Sequence, residues 1–292
     1  KKATIYVSLE PCSHFGKTPP CCDLIIKNEI PNVVIGTVDP NIKVAGNGIK
    51  KLVEAGTNVT VGVLEAECHE LNKRFFTFHE KKRPYIILKW AETKDGFIAP
   101  EKKVRYPETL DQDDNEKKPF WITNPYSRQL VHKWRTEEQA ILVGTQTVID
   151  DNPKLDARDW YGNNPVRIVI DQNNRIPKGS HILDNQVKTI LFSKSETTIE
   201  KENTIFEVID FEQNIASQIA AILYLHQIQS VIIEGGQQTL QTFIDANLWD
   251  EARIFIGNIH FASGTKAPAL TRTNFNELSI DGDQLLILKN HD

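Results

Sequence analysis

Tyr85-Ile86-Ile87-Leu88-Lys89-Trp90 is an almost unbroken apolar run with one lysine set into it. A strand apolar on both faces belongs inside a parallel sheet that is covered by helices on each side. The same reading extends outward along the chain. Ala140 to Val143, Val166 to Ile170, Thr189 to Phe192, Ser230 to Ile233, Arg253 to Ile256 and Leu285 to Leu288 are further strand candidates. Helical patterns lie near Ile215 to Leu225 and Gln237 to Ala246. Another starts at Thr123-Asn124-Pro125, with an N-cap residue before a proline at the first helical position, and runs to Arg135. Alternating strands and helices of this kind predict an α/β unit with a sheet of at least six strands.

Upstream, Ala3 to Leu9, Val33 to Thr37 and Val59 to Val61 read as strands, and Cys21 to Asn28 and Gly48 to Ala55 as helices. A longer helical pattern from Leu64 to Phe78 runs into His79-Glu80-Lys81-Lys82-Arg83-Pro84, where charge and then proline stop it. The domain boundary is placed there, giving an α/β domain over 1–80 and a second over 84–292. Between Glu101 and Lys118 the chain is polar and rich in Asp and Lys, as an exposed insertion would be.

Leu9-Glu10-Pro11-Cys12 is followed after eight residues by Pro19-Pro20-Cys21, one cysteine ending a strand and the other opening a helix. A helix N-terminus favours a thiolate, so Cys12 and Cys21 can share one zinc ion; two buried thiols that merely pack is the plainer alternative. His14 lies between them as a ligand-contacting or simply hydrogen-bonded loop residue. Cys22 and Cys68 read as packing. In the second domain no Gly-x-Gly-x-x-Gly follows the first strand, so a Rossmann fingerprint is absent. Glu234-Gly235-Gly236 ends a strand and opens a helix, a place where backbone can approach a phosphate closely; an ordinary tight turn fits the two glycines as well. Lys89, buried mid-strand by pattern, needs an anionic partner.

The string from Leu9 to Cys21 closely resembles the deaminase signature of the RibD family, the bifunctional pyrimidine deaminases and reductases of riboflavin synthesis. So do Asp39-Pro40-Asn41 with Val44-Ala45-Gly46-Asn47-Gly48, and Ala55-Gly56. The similarity continues through Lys89, Asp95-Gly96, Trp121-Ile122-Thr123, Arg135, Ala140-Ile141, Thr147, Asp150-Asp151-Asn152-Pro153, Leu155, Arg158 and Glu234-Gly235-Gly236. This resemblance implies an incomplete cytidine-deaminase-like three-layer domain followed by a dihydrofolate-reductase-like α/β domain that binds NADPH without the Rossmann motif. It implies Cys12 and Cys21 as two of three Zn2+ ligands, with the ligand histidine and catalytic glutamate of a His-x-Glu element lying before Lys1. It further implies Lys89 and Asp151 as catalytic residues. Trp121, Thr147, Asp151, Gly236, Gln237, Gln238, Thr239, Leu240, Gln241 and Thr242 become NADPH contacts, and Arg135, Leu155, Arg158 and Glu234 substrate contacts. Two departures stand out: the family's serine two residues before the tryptophan is Pro119 here, and the loop before Trp121 is long and acidic.

Composition narrows the rest. A net charge of −5 argues against a nucleic-acid partner held by a general basic field. No stretch is apolar enough to span a membrane and no secretory leader opens the chain, so a cytoplasmic location is the expectation. Four cysteines are too few and too clustered for a disulfide framework. The chain holds no methionine and opens almost directly on a strand, from which a natural start upstream of Lys1 is expected. The partners implied are small phosphoribosyl pyrimidines and, for assembly, further copies of the chain. Three rivals remain open: a reductase whose deaminase part is vestigial, a non-catalytic zinc or nucleic-acid module, and a nucleic-acid deaminase, which has no use for the second domain.

Overall fold

In the computed structural model of the chain, residues 2–16, 18–41, 45–101, 120–196 and 202–290 are described. The acidic stretch over 102–118, Pro119, and Lys17 and Val44 of the resembling motifs lie outside the described residues. The chain divides into two units, Lys1–Arg83 and Pro84–Asp292.

In the first unit β1 (Thr4–Leu9), β2 (Asn32–Thr37) and β3 (Asn58–Val61) form a parallel sheet in that order. Alternation of side chains sends Val33 and Ile35 to one face, where they bury Cys22 and Ile25 of α1 (Cys21–Lys27) and Leu52 of α2 (Asn47–Glu54). On the other face α3 (Glu65–Leu71) comes so close that a Cβ on Gly36 would meet the sulfur of Cys68 at 2.2 Å. The result is a helix–sheet–helix sandwich. The helix expected over Leu64 to Phe78 is in fact two, α3 and α4 (Lys73–Lys81). Asn72 separates them: its side-chain amide donates to the Cys68 carbonyl at 2.8 Å, competing with the helical ladder.

The second unit is built on a nine-stranded sheet, ordered β13-β14-β11-β4-β10-β6-β7-β8-β9. Its central strands are β4 (Tyr85–Thr93), β6 (Ala140–Gly144), β7 (Val166–Ile170), β10 (Ser230–Ile233) and β11 (Glu251–Gly257), all parallel to their neighbours among these. β8 (Thr189–Ser193) and β9 (Thr204–Val208) continue the parallel run, while β13 (Phe275–Ile280) and β14 (Asp283–Lys289) close the other side as an antiparallel pair. A small ribbon joins β5 (Phe97–Pro100) to β12 (Gly264–Lys266).

Each face of the sheet has its own helices. Leu88, Leu142, Ile168 and Ile233 pack with Ala216, Ile219 and Leu223 of α7 (Ile215–Leu225) and Leu240 and Phe243 of α8 (Gln237–Asp245). On the opposite face Ile141 and Val143 pack with Val148 of α6 (Thr145–Asp151), and Ile87 and Ile232 with Val131 and Trp134 of α5 (Pro125–Glu137). α5 starts as expected: the Asn124 side chain accepts from the Ser127 N–H at 2.9 Å. The sheet order makes the chain turn back on itself. After β6 it proceeds to β7, β8 and β9, then returns to place β10 between β4 and β6, and leaves through α8 on the face opposite α6. Between the carboxyl ends of β6 and β10 the two loops diverge, and that divergence is where open α/β sheets bind ligands.

Candidate active site

A cleft of about 1220 Å³ occupies this position. Gly144 to Thr147 after β6 and Glu234 to Thr239 after β10 line it, and β4 contributes Lys89, Trp90 and Ala91. A Cβ on Gly235 would lie 2.7 Å from the Gly144 nitrogen and 2.8 Å from the Val143 Cα, so glycine is what lets the two strand ends meet. Gly236 differs: the nearest atom to a Cβ there is the Thr147 hydroxyl at 3.6 Å, and that hydroxyl accepts from the Gly236 N–H at 3.1 Å. No side chain caps the start of α8, leaving its first-turn N–H groups at the cleft with the dipole's positive end.

Lys89, Glu234 and Arg135 form a buried ionic cluster at one end. Arg135 donates to Glu234 twice, Nε to Oε1 at 3.3 Å and Nη2 to Oε2 at 2.7 Å, and its Nη1 donates to the Asp156 carbonyl at 2.9 Å. Lys89 Nζ stands 4.0 Å from Glu234 Oε2 and 6.0 Å from the Phe255 ring centre. Burial alone would raise the Glu234 carboxyl, but Arg135 and Lys89 outweigh it and hold the pKa down at about 2. For Lys89 the balance goes the other way: burial pushes its ammonium below the ordinary lysine range, opposed by Glu234 and aided by Arg135. One anion between two cations leaves the cluster with a spare positive charge.

On the wall formed by the loop after α6, Arg158 pairs with Asp156 at 2.8 Å and stays half exposed. Leu155 is buried although its φ is +53°, a conformation costly for a bulky residue. Asn152, also left-handed, accepts from the His181 N–H through its side chain at 2.9 Å and pins this wall to the turn His181–Leu183. Asp151 is exposed, yet the protein packed around its carboxyl, with Asp150 beside it, raises its pKa. Trp121 lines the mouth, 51% exposed, with the Arg128 guanidinium 4.8 Å from its ring centre.

Of the residues singled out in the sequence, Lys89, Trp121, Arg135, Thr147, Asp151, Leu155, Arg158, Glu234, Gly236, Gln237, Gln238, Thr239, Leu240 and Thr242 all line this one cleft. Leu240 does so from a position otherwise buried in the core, and the Thr242 hydroxyl donates to the Gln238 carbonyl at 2.9 Å. Gln241 does not line the cleft: its amide is tied to Asp245 at 2.7 Å and accepts from the Ala269 N–H at 2.8 Å. Sequence reasoning missed His132 and Asp156. The only signal was His132 standing three residues before Arg135 on one helical face.

In the first unit the Cys21 N–H donates to Cys12 Sγ at 3.3 Å, so the two sulfurs are neighbours, and the Cys21 thiol is raised chiefly by its hydrogen bond to Cys12. Glu10 braces the site's base. Its carboxylate accepts from the N–H groups of Asp39, Gly46, Gly48 and Ile49 at 2.8–3.3 Å. Cys22 is buried against the Pro11 and Gly48 carbonyls, and burial raises its thiol to about 11, which suits packing and not metal binding. Among the described residues no group of three or more His, Cys, Asp or Glu side chains is arranged to hold a metal.

Known proteins resemble this chain in sequence and fold. Residues 84–276 match the family model of the RibD C-terminal domain. The riboflavin biosynthesis protein RibD of Aquifex aeolicus is 40% identical over 264 residues, covering 88% of this chain and 69% of that relative. The RibD protein of Bacillus amyloliquefaciens is 36% identical, covering 92% and 71%. Among solved structures, the diaminohydroxyphosphoribosylaminopyrimidine deaminase/5-amino-6-(5-phosphoribosylamino)uracil reductase of Thermotoga maritima superposes with a TM-score of 0.80 at 34% identity, over 96% of this chain and 77% of that one. RibD of Acinetobacter baumannii gives 0.82 at 27%, over 97% and 80%. The expected fold class holds: both units are α/β, and the unit carrying the cleft is the dihydrofolate-reductase-like reductase domain of a riboflavin-biosynthesis oxidoreductase. The family model matches residues 84–276, the relatives and superposed structures extend the likeness over most of the remaining sequence, and the chain belongs to the RibD family.

Proposed function

We propose that the cleft binds NADPH along the Gly144–Thr147 and Gly236–Thr239 loops and reduces the opened ribose of 5-amino-6-(5-phosphoribosylamino)uracil. The observation that carries this reading is the ionic cluster Lys89–Glu234–Arg135 lying beside the uncapped start of α8 in one cleft. NADPH supplies hydride for the anomeric carbon. The free N–H groups of the first turn of α8 suit its phosphates, and Gly236, which has no side chain, leaves them open.

The chain's own groups do the rest. Glu234, held anionic, accepts hydrogen bonds from sugar hydroxyls and keeps the ribose oriented. Lys89, its ammonium weakened by burial, is placed to release a proton to the ring oxygen as the sugar opens. Arg135 is spent on Glu234 and the Asp156 carbonyl, so it fixes the carboxylate, while Arg158 faces outward for the substrate's phosphate. Asp151 and Trp121 border the cofactor side, and Leu155 shapes the substrate wall.

For the first unit we propose that Cys12 and Cys21 are two ligands of a zinc ion whose third is a histidine, in a centre that deaminates the preceding pyrimidine. The test of the reductase reading is loss of the reduced nicotinamide's absorbance when chain, NADPH and substrate are mixed, and its absence when Lys89 is replaced by Met.

A further inference from the structure

His132 lies one helical turn before Arg135 on α5, so both side chains leave the same face. It is 4% exposed and borders the cleft. Nε2 stands 3.1 Å from Asp159 Oδ2, but Nδ1 is buried with no hydrogen-bond partner among the described residues. A buried ring nitrogen without a partner is uncommon in a folded protein, and at the wall of a binding cleft it points to a missing ligand atom. Arg135 already donates one hydrogen bond from each of its three nitrogens, to Glu234 and the Asp156 carbonyl, so much of its charge is engaged within the protein. Arg158, half exposed on that wall, is a cation available to an anion beside His132, with Lys154 of the same loop also lining the cleft.

We propose that His132 is a second ligand of the substrate's phosphate, donating through Nδ1 while Asp159 fixes the ring from Nε2. This rests on the phosphoribosyl reading above and adds a residue to it. The direction of the proton follows from the surroundings. In the free protein burial, then the Arg135 and Arg158 guanidiniums, hold His132 below the ordinary histidine range, against Asp159 and Asp156, with the Glu234 carboxylate near enough to interact electrostatically with the ring. The neutral ring keeps its proton on Nε2, toward Asp159, and offers Nδ1 only as an acceptor. A phosphate dianion reverses that balance: a proton from solvent adds to Nδ1, the ring becomes imidazolium, and the new N–H donates to a phosphate oxygen. Binding thus takes up one proton, and affinity falls as pH rises.

Ribose 5-phosphate, with ribose as control, is the probe, titrated into the full chain by calorimetry in two buffers of different ionisation enthalpy. The wild-type chain is expected to take up a proton on binding ribose 5-phosphate. His132→Gln, whose amide can still reach Asp159, is expected to bind it at least about tenfold more weakly with no proton uptake, and to bind NADPH as before. Histidine NMR of the wild-type chain decides the matter even where the variant fails to fold. The His132 ring should change from the neutral Nε2–H form to the imidazolium on adding ribose 5-phosphate and should not change with ribose. Binding without proton uptake and with His132 still neutral would overturn the proposal while leaving the phosphoribosyl reading intact. Equal binding of ribose and ribose 5-phosphate, or no binding of either, would overturn both.

Discussion

Arg135 grips Glu234 with two parallel nitrogens, at 3.3 and 2.7 Å, across a separation of 99 residues, and so ties α5 to the end of β10. A buried pair of this kind adds little over a well-packed apolar substitute, but removing one member leaves the other charged and unanswered, typically at 3–5 kcal/mol. Glu234→Gln is therefore expected to lower the melting temperature and to abolish most turnover, since Lys89 and Arg135 are left as adjacent cations. Unchanged stability and kcat would remove the cluster from the account.

The same pair sets an acid limit. Glu234 has a folded pKa of about 2 against an ordinary 4.5. Its contribution is fully present above the ordinary value and is lost as pH falls toward 2. The difference corresponds to roughly 3 kcal/mol. Denaturant titrations of wild type and Glu234→Gln at several pH values below neutrality should converge as the acid deepens. Parallel curves would mean that the carboxylate carries no such linkage.

Two adjacent glycines separate folding from binding. Gly235→Ala drives a Cβ into the backbone of Gly144 and Val143, so the joined ends of β10 and β6 must part; overpacking of this sort costs about 1–3 kcal/mol. Gly236→Ala meets nothing closer than 3.6 Å and should fold normally, yet it places a methyl where a phosphate would lie, and NADPH should bind more weakly. Melting curves and fluorescence titration of both variants check this. A stable Gly235→Ala chain, or a Gly236→Ala chain with full affinity, would contradict it.

Among the described residues Arg158 pairs with Asp156, and it stays half exposed. Arg158→Ala should raise KM for the phosphoribosyl substrate by roughly ten- to a hundredfold, because a charge-assisted hydrogen bond contributes about 1.5–3 kcal/mol, and should leave NADPH affinity alone. Equal losses for both ligands would move the phosphate elsewhere.

Several parts of this architecture were legible in the sequence. One lysine inside an apolar strand demanded an anion, and Glu234 supplies it. Asn124-Pro125 fixed the start of α5, and the apolar runs located the central strands. Other parts were not. α6 carries Thr145, Thr147, Val148 and Ile149, β-branched residues of weak helix propensity, and it is helical because Val148 packs against Ile141 and Val143. β5, β9, β12 and β13 were missed; each is short or half exposed and gives a weak period. Gln241 was assigned to the cofactor along with its neighbours, but a helix turns about 100° per residue and cannot show six consecutive side chains to one cleft. His132 lacked any sign beyond its spacing from Arg135, because the loop that brings Asp159 to it is not a local feature.

The central claim, that the cleft at the carboxyl ends of β4, β6 and β10 is an NADPH-dependent reductase site, is tested most directly by steady-state turnover of this chain on 5-amino-6-(5-phosphoribosylamino)uracil with NADPH and NADH in parallel. The account predicts stoichiometric oxidation of NADPH, a higher KM for NADH, and loss of activity in Lys89→Met and Glu234→Gln. Absence of turnover by a folded chain that binds NADPH, or activity that survives both substitutions, would contradict it.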